Sequence, residues 1–262
     1  MTICKHELKA NRVSLTIWTV IIASVIMLIV LMYPAFKDQM AAVSSIFNML
    51  GPLTAAMGLD KMDFTTGIGF YAMEIGHTLA IGGALFAGMT GIVLLSKEEG
   101  GHTAEFLLTM PVSRCQVVAE KLLALVMQII LLNLICCAAA YIAFLIIGEP
   151  LPVGRFLLFH GLQCVMHVEI ACVCFALSAF ARRMQVGMGL GLALLLYFVN
   201  LIANMLDTAR FLRYFTPFAY AESSVILTGE PIEIMLVCIG VGVTLFGAGM
   251  AFWQYGRKDI AS

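Results

Sequence analysis

Long apolar runs separated by short polar clusters set the pattern of this chain. Residues 15–33 form the first, 19 positions without a charge. At about 1.5 Å per residue that is roughly 28 Å of helix, enough to cross a bilayer core. Five more runs follow, at 68–95, 122–147, 156–180, 186–206 and 234–253. The second holds Glu74 and His77, and the fourth holds His160, His167 and Glu169. The other three are uncharged. This pattern predicts an all-α integral membrane protein with six transmembrane helices, forming one domain over residues 1–262. Lys5, Glu7, Lys9 and Arg12 before the first run could mimic a signal peptide. The run is long for that, and no small-x-small site follows at 30–34, so an uncleaved helix is expected.

Composition agrees. Of 262 residues, 61% are hydrophobic and 12% charged. Soluble domains carry about 25% charge, so lipid is the expected solvent. The net charge of −1 says nothing about a nucleic-acid partner, and no basic patch is dense enough to suggest one. With six spans both termini share one side. Placing them inside puts ten Lys/Arg in inner segments and five in outer ones. The positive-inside rule then favours cytoplasmic termini in a plasma-membrane protein. The eight cysteines lie in apolar runs or inner segments and are expected to be small packing residues. Residues 36–67 form a long outer segment with helix-compatible stretches. Residues 207–233, with Pro217 and Pro231, are expected to fold against the membrane or dip into it.

Ionisable groups inside spans cost roughly 2.5–3.5 kcal/mol near the bilayer centre and so should face protein or water. Glu74 and His77 share one helix face. Gln163 and His167 share another, with His160 on the same stripe, and Glu169 points elsewhere. These residues could line a substrate path or a helix interface, or Glu74 could simply reach water. His160, near the outer end, is expected to do so. His167 and Glu169, deeper, suit hydrogen bonds between helices. No metal site is expected from Glu74, His77 and His167. Gly76, Ala80, Ala84 and Gly88 repeat every four residues, as do Gly240, Thr244 and Ala248. Such stripes permit close helix contact, within a subunit or between subunits.

The most informative stretch lies between the second and third spans, at 96–114. Gly100 and Gly101 end the preceding helix. Thr103 suits an N-cap, with Glu105 in the first turn. Ala104, Leu107 and Leu108 give an apolar face with Phe106 beside it. Pro111 stops the helix near Met110. Ser113 then caps the third span, with Gln116 three residues on. The result is a short amphipathic helix at about 103–110, suited to the membrane surface or to a partner's groove.

Thr103-Ala104-Glu105-Phe106-Leu107-Leu108, followed by Pro111-Val112-Ser113-Arg114 and Lys121, resembles the signature of ABC-2 type permeases. Residues 5–9, 214–218 and 257–260 resemble other parts of that family. His102 departs from it, standing where the family often has glycine. The resemblance implies that 103–110 is a cytoplasmic coupling helix contacting an ATPase subunit. Glu98, Thr103, Glu105, Phe106, Leu107, Pro111 and Arg114 become the expected coupling positions. It also implies a second permease subunit, and an exporter of an amphipathic or hydrophobic compound such as a drug, antibiotic, peptide or lipid. Drug or antimicrobial-peptide resistance would be one use. The chain contains no Gly-rich P-loop ending in Gly-Lys-Ser/Thr. ATP and Mg would therefore bind the partner ATPase, with no cofactor on this chain and no enzymatic role for it. Two rivals stand beside this reading. Glu98-Glu99 resembles the paired glutamates of membrane-embedded CAAX-type proteases, but no complete catalytic set accompanies the pair. A non-transporting anchor or sensor subunit is the other.

Overall fold

The computed structural model describes residues 1–39, 54, 62–63, 65–100, 112–181, 183 and 185–258. The expected coupling helix, with Thr103, Glu105, Phe106, Leu107 and Pro111, lies outside the described residues, as does most of the 36–67 segment. The described residues are helical, without strands. They form α1 (Thr2–Ala10), α2 (Arg12–Phe36), α3 (Gly67–Val93), α4 (Ser96–Gly100), α5 (Arg114–Ile147), α6 (Val153–Phe180) and α7 (Val186–Met205). Two 3-10 turns (Asp207–Phe215 and Pro217–Tyr220) lead to α8 (Ser223–Thr228) and α9 (Ile234–Arg257). Six helices, α2, α3, α5, α6, α7 and α9, are long and apolar enough to cross a membrane. This is a multi-pass membrane protein with the six spans the hydropathy pattern predicts.

The ends follow local chemistry. The Thr66 side chain caps α3 by accepting from the Gly69 N–H. Ser113 caps α5 by accepting from the Gln116 N–H at 3.1 Å. Gln116 does not return the bond and instead donates to Glu120, so half of the expected capping box forms. Gly148 closes α5 at φ 70°, a left-handed conformation that glycine adopts without steric cost. At 34 residues α5 is about 51 Å long, more than a bilayer core needs.

α3 and α6 form the centre. Along their most apolar 18 residues, 67% and 72% are buried, against 22% for α2, α7 and α9. The ionisable residues of the apolar runs, Glu74, His77, His160, His167 and Glu169, fall on the same two helices, as the cost of lipid exposure requires. The peripheral helices present large apolar side chains outward, among them Ile21 and Leu28 on α2, Leu145 on α5 and Phe246 on α9. Packing between spans relies on small residues. A Cβ on Gly88 would lie 2.5 Å from the Gly189 carbonyl oxygen, so α3 and α7 meet backbone to backbone. Gly76 makes room for a side chain instead, since a Cβ there would collide with the Ser223 Oγ and Cβ. The glycine and alanine stripe of the second span is therefore an internal contact. Gly240 on the sixth is another, since a Cβ there would approach Glu169 and Tyr220.

Within the loop before α9, 216–227 is largely buried in the bundle, whereas no residue of Asp207–Phe215 is buried and that part lies on the surface. Pro217, Phe218, Ala219 and Tyr220 are buried, as are Ser223, Ser224, Ile226 and Leu227. Ser223 Oγ donates to the Ala72 carbonyl at 2.8 Å, and Thr216 Oγ1 donates to the Leu196 carbonyl at 2.8 Å, fixing the segment to α3 and α7.

Candidate functional site

Three polar regions stand out against the apolar frame. The first is at the face that carries both termini. α1 lies across it with Cys4 and Glu7 turned inward. Lys121, on the first turns of α5, has no exposure. Its Nζ donates to Glu7 Oε1 at 2.5 Å, to Glu98 Oε1 at 2.8 Å and to the Leu94 carbonyl at 3.0 Å. Those three acceptors use all three ammonium hydrogens. Lys97 donates to the second Glu7 oxygen. Two ammoniums thus meet two carboxylates, and the burial that would otherwise penalise each charge is offset.

Neighbouring contacts stiffen the same corner. Ser178 Oγ, on α6, accepts from both the Leu95 and Ser96 N–H groups at 3.0 and 2.9 Å. These are the donors freed where α3 gives way to α4. Glu120 accepts from the Cys4 N–H at 3.1 Å, fixing α1 to α5. Arg114 Nη1 donates to the Lys258 carbonyl at 2.7 Å, joining the start of α5 to the end of α9. Of the seven expected coupling positions, Glu98 and Arg114 fall on described residues. They flank the 101–111 stretch, one on α4 and one at the first residue of α5. Glu7, Lys97 and Ser178 carry no mark of this role in the sequence. For Glu7 the one available signal is a carboxylate on a short amphipathic helix that the span count places at the same membrane end as Lys121.

The second region lies between the spans, and the five expected residues do not form one patch. Glu74 is half-buried. His77, also half-buried, has Nδ1 3.4 Å from the Tyr197 hydroxyl and its ring edge-on to that tyrosine. Gln163 is buried and donates to the Ala221 carbonyl at 2.9 Å. His77 and Gln163 line a small cleft together with Asn200, Asn204 and Glu222. His167 stands apart, fully buried. Its Nδ1 is 3.1 Å from Asn133 Oδ1 and its Nε2 is 3.3 Å from the Ala80 carbonyl oxygen, so it links α3, α5 and α6. His160 does not reach water as the sequence suggests. It is 4% exposed, with Nε2 2.8 Å from the Tyr71 hydroxyl, because it lies on the inward face of α6 with its ring among Tyr71, Phe156 and Phe159. Among the described residues no three His, Cys, Asp or Glu side chains converge as metal ligands. The cysteines divide: Cys4, Cys136, Cys172 and Cys174 are buried packers, whereas Cys115 and Cys238 are exposed, and all eight are free thiols.

The third region is a cavity of about 250 Å³ under the 207–220 segment, between α6, α7 and α9. Its walls are mainly apolar, with Leu192, Leu196 and Ile239 among them, and Glu169, Tyr220 and Arg213 as polar members. Glu169 is 6% exposed and accepts a 2.7 Å hydrogen bond from the Tyr220 hydroxyl. Arg213 Nη1 donates to Glu233 at 2.8 Å. Arg213 and Tyr220 are legible in the sequence only as members of an aromatic loop, since the fold sets the bond from Tyr220 to Glu169 and brings Arg213 to the same cavity.

A family model described as ABC-2 family transporter protein matches residues 1–260. Among curated proteins no match was found.

Proposed function

The chain belongs to the ABC-2 family of transporter proteins, and from that premise we propose that it is the membrane subunit of an ATP-driven exporter. In this reading the termini face is cytoplasmic and the membrane is the plasma membrane. A separate ABC ATPase docks there and binds ATP and Mg, and a second permease subunit completes the path. The 103–110 helix is the docking element, with Thr103, Glu105, Phe106 and Leu107 at the contact and Pro111 at its end. The cargo is an amphipathic or hydrophobic compound.

The observation that carries this reading is the buried cluster of Glu7, Lys97, Glu98 and Lys121. A stretch that must transmit force needs stiff ends, and 101–111 is bracketed by them. On one side Glu98 is tied to α5 and, through Lys121, to α1. On the other Arg114 is tied to the end of α9. A push on the helix would therefore reach α1, α3, α5 and α9 together rather than bend a loose loop. The same geometry disfavours a protease role for Glu98, whose carboxylate is engaged by Lys121.

The test is co-purification with the cognate ATPase. Glu105→Arg combined with Phe106→Ala is expected to abolish association and transport while the permease still purifies as a folded species. Unchanged binding and transport in that double variant would overturn the assignment of the coupling helix.

A further inference from the structure

We propose that the cavity under residues 207–220 binds a monocationic amphiphile, with its positive head at Glu169 and its apolar body among Leu192, Leu196 and Ile239. This names the cargo class of the exporter described above, and only its role in transport rests on that reading.

Glu169 carries the argument. Other carboxylates at the two ends of the bundle have cations: Glu7 and Glu98 have Lys121, Glu149 has Lys37, and Glu233 has Arg213. Glu169, well inside α6, has a neutral hydroxyl instead, and among the described residues no ion pair reaches it. A buried carboxylate without a counter-charge is costly, and one that lines a cavity can gain its counter-charge from a ligand. Gly240 preserves the space. A Cβ there would come within 2.5 Å of Glu169 Oε2, so any other residue would displace the carboxylate.

Arg213, which also lines the cavity, forms its ion pair with Glu233 and not with Glu169. Among the described residues its buried Nε–H has no partner. The cavity therefore presents one carboxyl group without a partner cation among the described residues, one unused hydrogen-bond donor and an apolar remainder. Its complement is a compact amine or quaternary ammonium with an apolar body, tolerating an oxygen acceptor near Arg213. A volume of about 250 Å³ is close to the roughly 300 Å³ lower end of drug-sized pockets.

The test uses the full chain, without ATPase, in phosphatidylcholine nanodiscs. Calorimetry would compare decyltrimethylammonium with decanoate, an anion of equal chain length, against empty nanodiscs as background. Wild type is expected to bind the cation and not the anion. Glu169→Gln keeps the size and the bond from Tyr220 and should weaken cation binding at least tenfold. Glu169→Asp keeps the charge and should stay within about threefold of wild type. Ile239→Trp, which fills the cavity and leaves Glu169 in place, should abolish binding. Equal cation binding by wild type and Glu169→Gln would overturn the proposal, as would preferential decanoate binding, which would assign the cavity to Arg213. The permease–ATPase complex separates the two readings. Charge-selective binding without ATP-dependent transport of the cation sinks the exporter reading alone. ATP-dependent transport of another compound with no charge-selective binding sinks this site alone.

Discussion

Lys121→Met removes an ammonium that has no exposure and three acceptors. Methionine matches the length of the side chain but supplies no donor. Glu7, itself 1% exposed, is left with Lys97 alone, and Glu98 loses the Lys121 cation. Removing one partner of a buried ion cluster costs about 3–5 kcal/mol, because the other charge stays buried. At about 2–4 °C per kcal/mol for chains of this size, the loss in melting temperature is of order 10 °C. Glu7→Gln is expected to be destabilising too. The double variant keeps Lys97 with Glu98, so its charges balance again. Its cost should fall short of the sum of the singles by about 0.5–3 kcal/mol, the range for residues in direct contact. Unfolding of purified protein in one mild detergent, followed by intrinsic fluorescence, would measure all four forms. A Lys121→Met variant within about 0.5 kcal/mol of wild type, or strict additivity in the cycle, would refute the clamp.

The other predictions address packing, polar links and topology. Gly88→Leu should force α3 and α7 apart and yield little monodisperse protein on size exclusion, since even a Cβ would meet the Gly189 carbonyl at 2.5 Å. Wild-type yield would show that the helices do not cross there. Asn133→Ala removes the side-chain partner of His167 and should cost about 0.6 kcal/mol, the average for hydrogen bonds between membrane helices, and no more than about 1.7 kcal/mol. A loss outside the error of zero in thermal unfolding is the expected result. Cys115, exposed on the first turn of α5, should react with a membrane-impermeant maleimide in inside-out vesicles and not in intact cells. A cysteine placed at exposed Glu230 should show the reverse, and labelling of both from one side would break the topology.

The six spans were legible because lipid imposes a long apolar run on each, and a run of 20 residues leaves little choice of fold. The start of the third span was legible too: Ser113 reads as its cap, and α5 begins at Arg114, ahead of the apolar run at 122–147, which carries Lys121 into the cluster. The pairing of Lys121 with Glu7 joins residues 114 positions apart, and no local pattern encodes it. The glycine stripe announced a close contact but not its partner, since Gly189 supplies the other half from a different span. His160 misled for a related reason. Its distance from the end of the run suggested water, whereas burial depends on α6 sitting at the centre. The polar residues of the fourth span were identified individually, and only the fold divides them between a helix link at His167 and a cavity at Glu169.

The most direct measurement is ATP hydrolysis and transport by this chain co-reconstituted with its cognate ABC ATPase in proteoliposomes. The account predicts that ATPase and permease purify as one complex, and that an amphipathic cargo moves only with ATP and with an intact 103–110 helix. A permease that neither associates with the ATPase nor moves any amphipathic compound when ATP is supplied would contradict it.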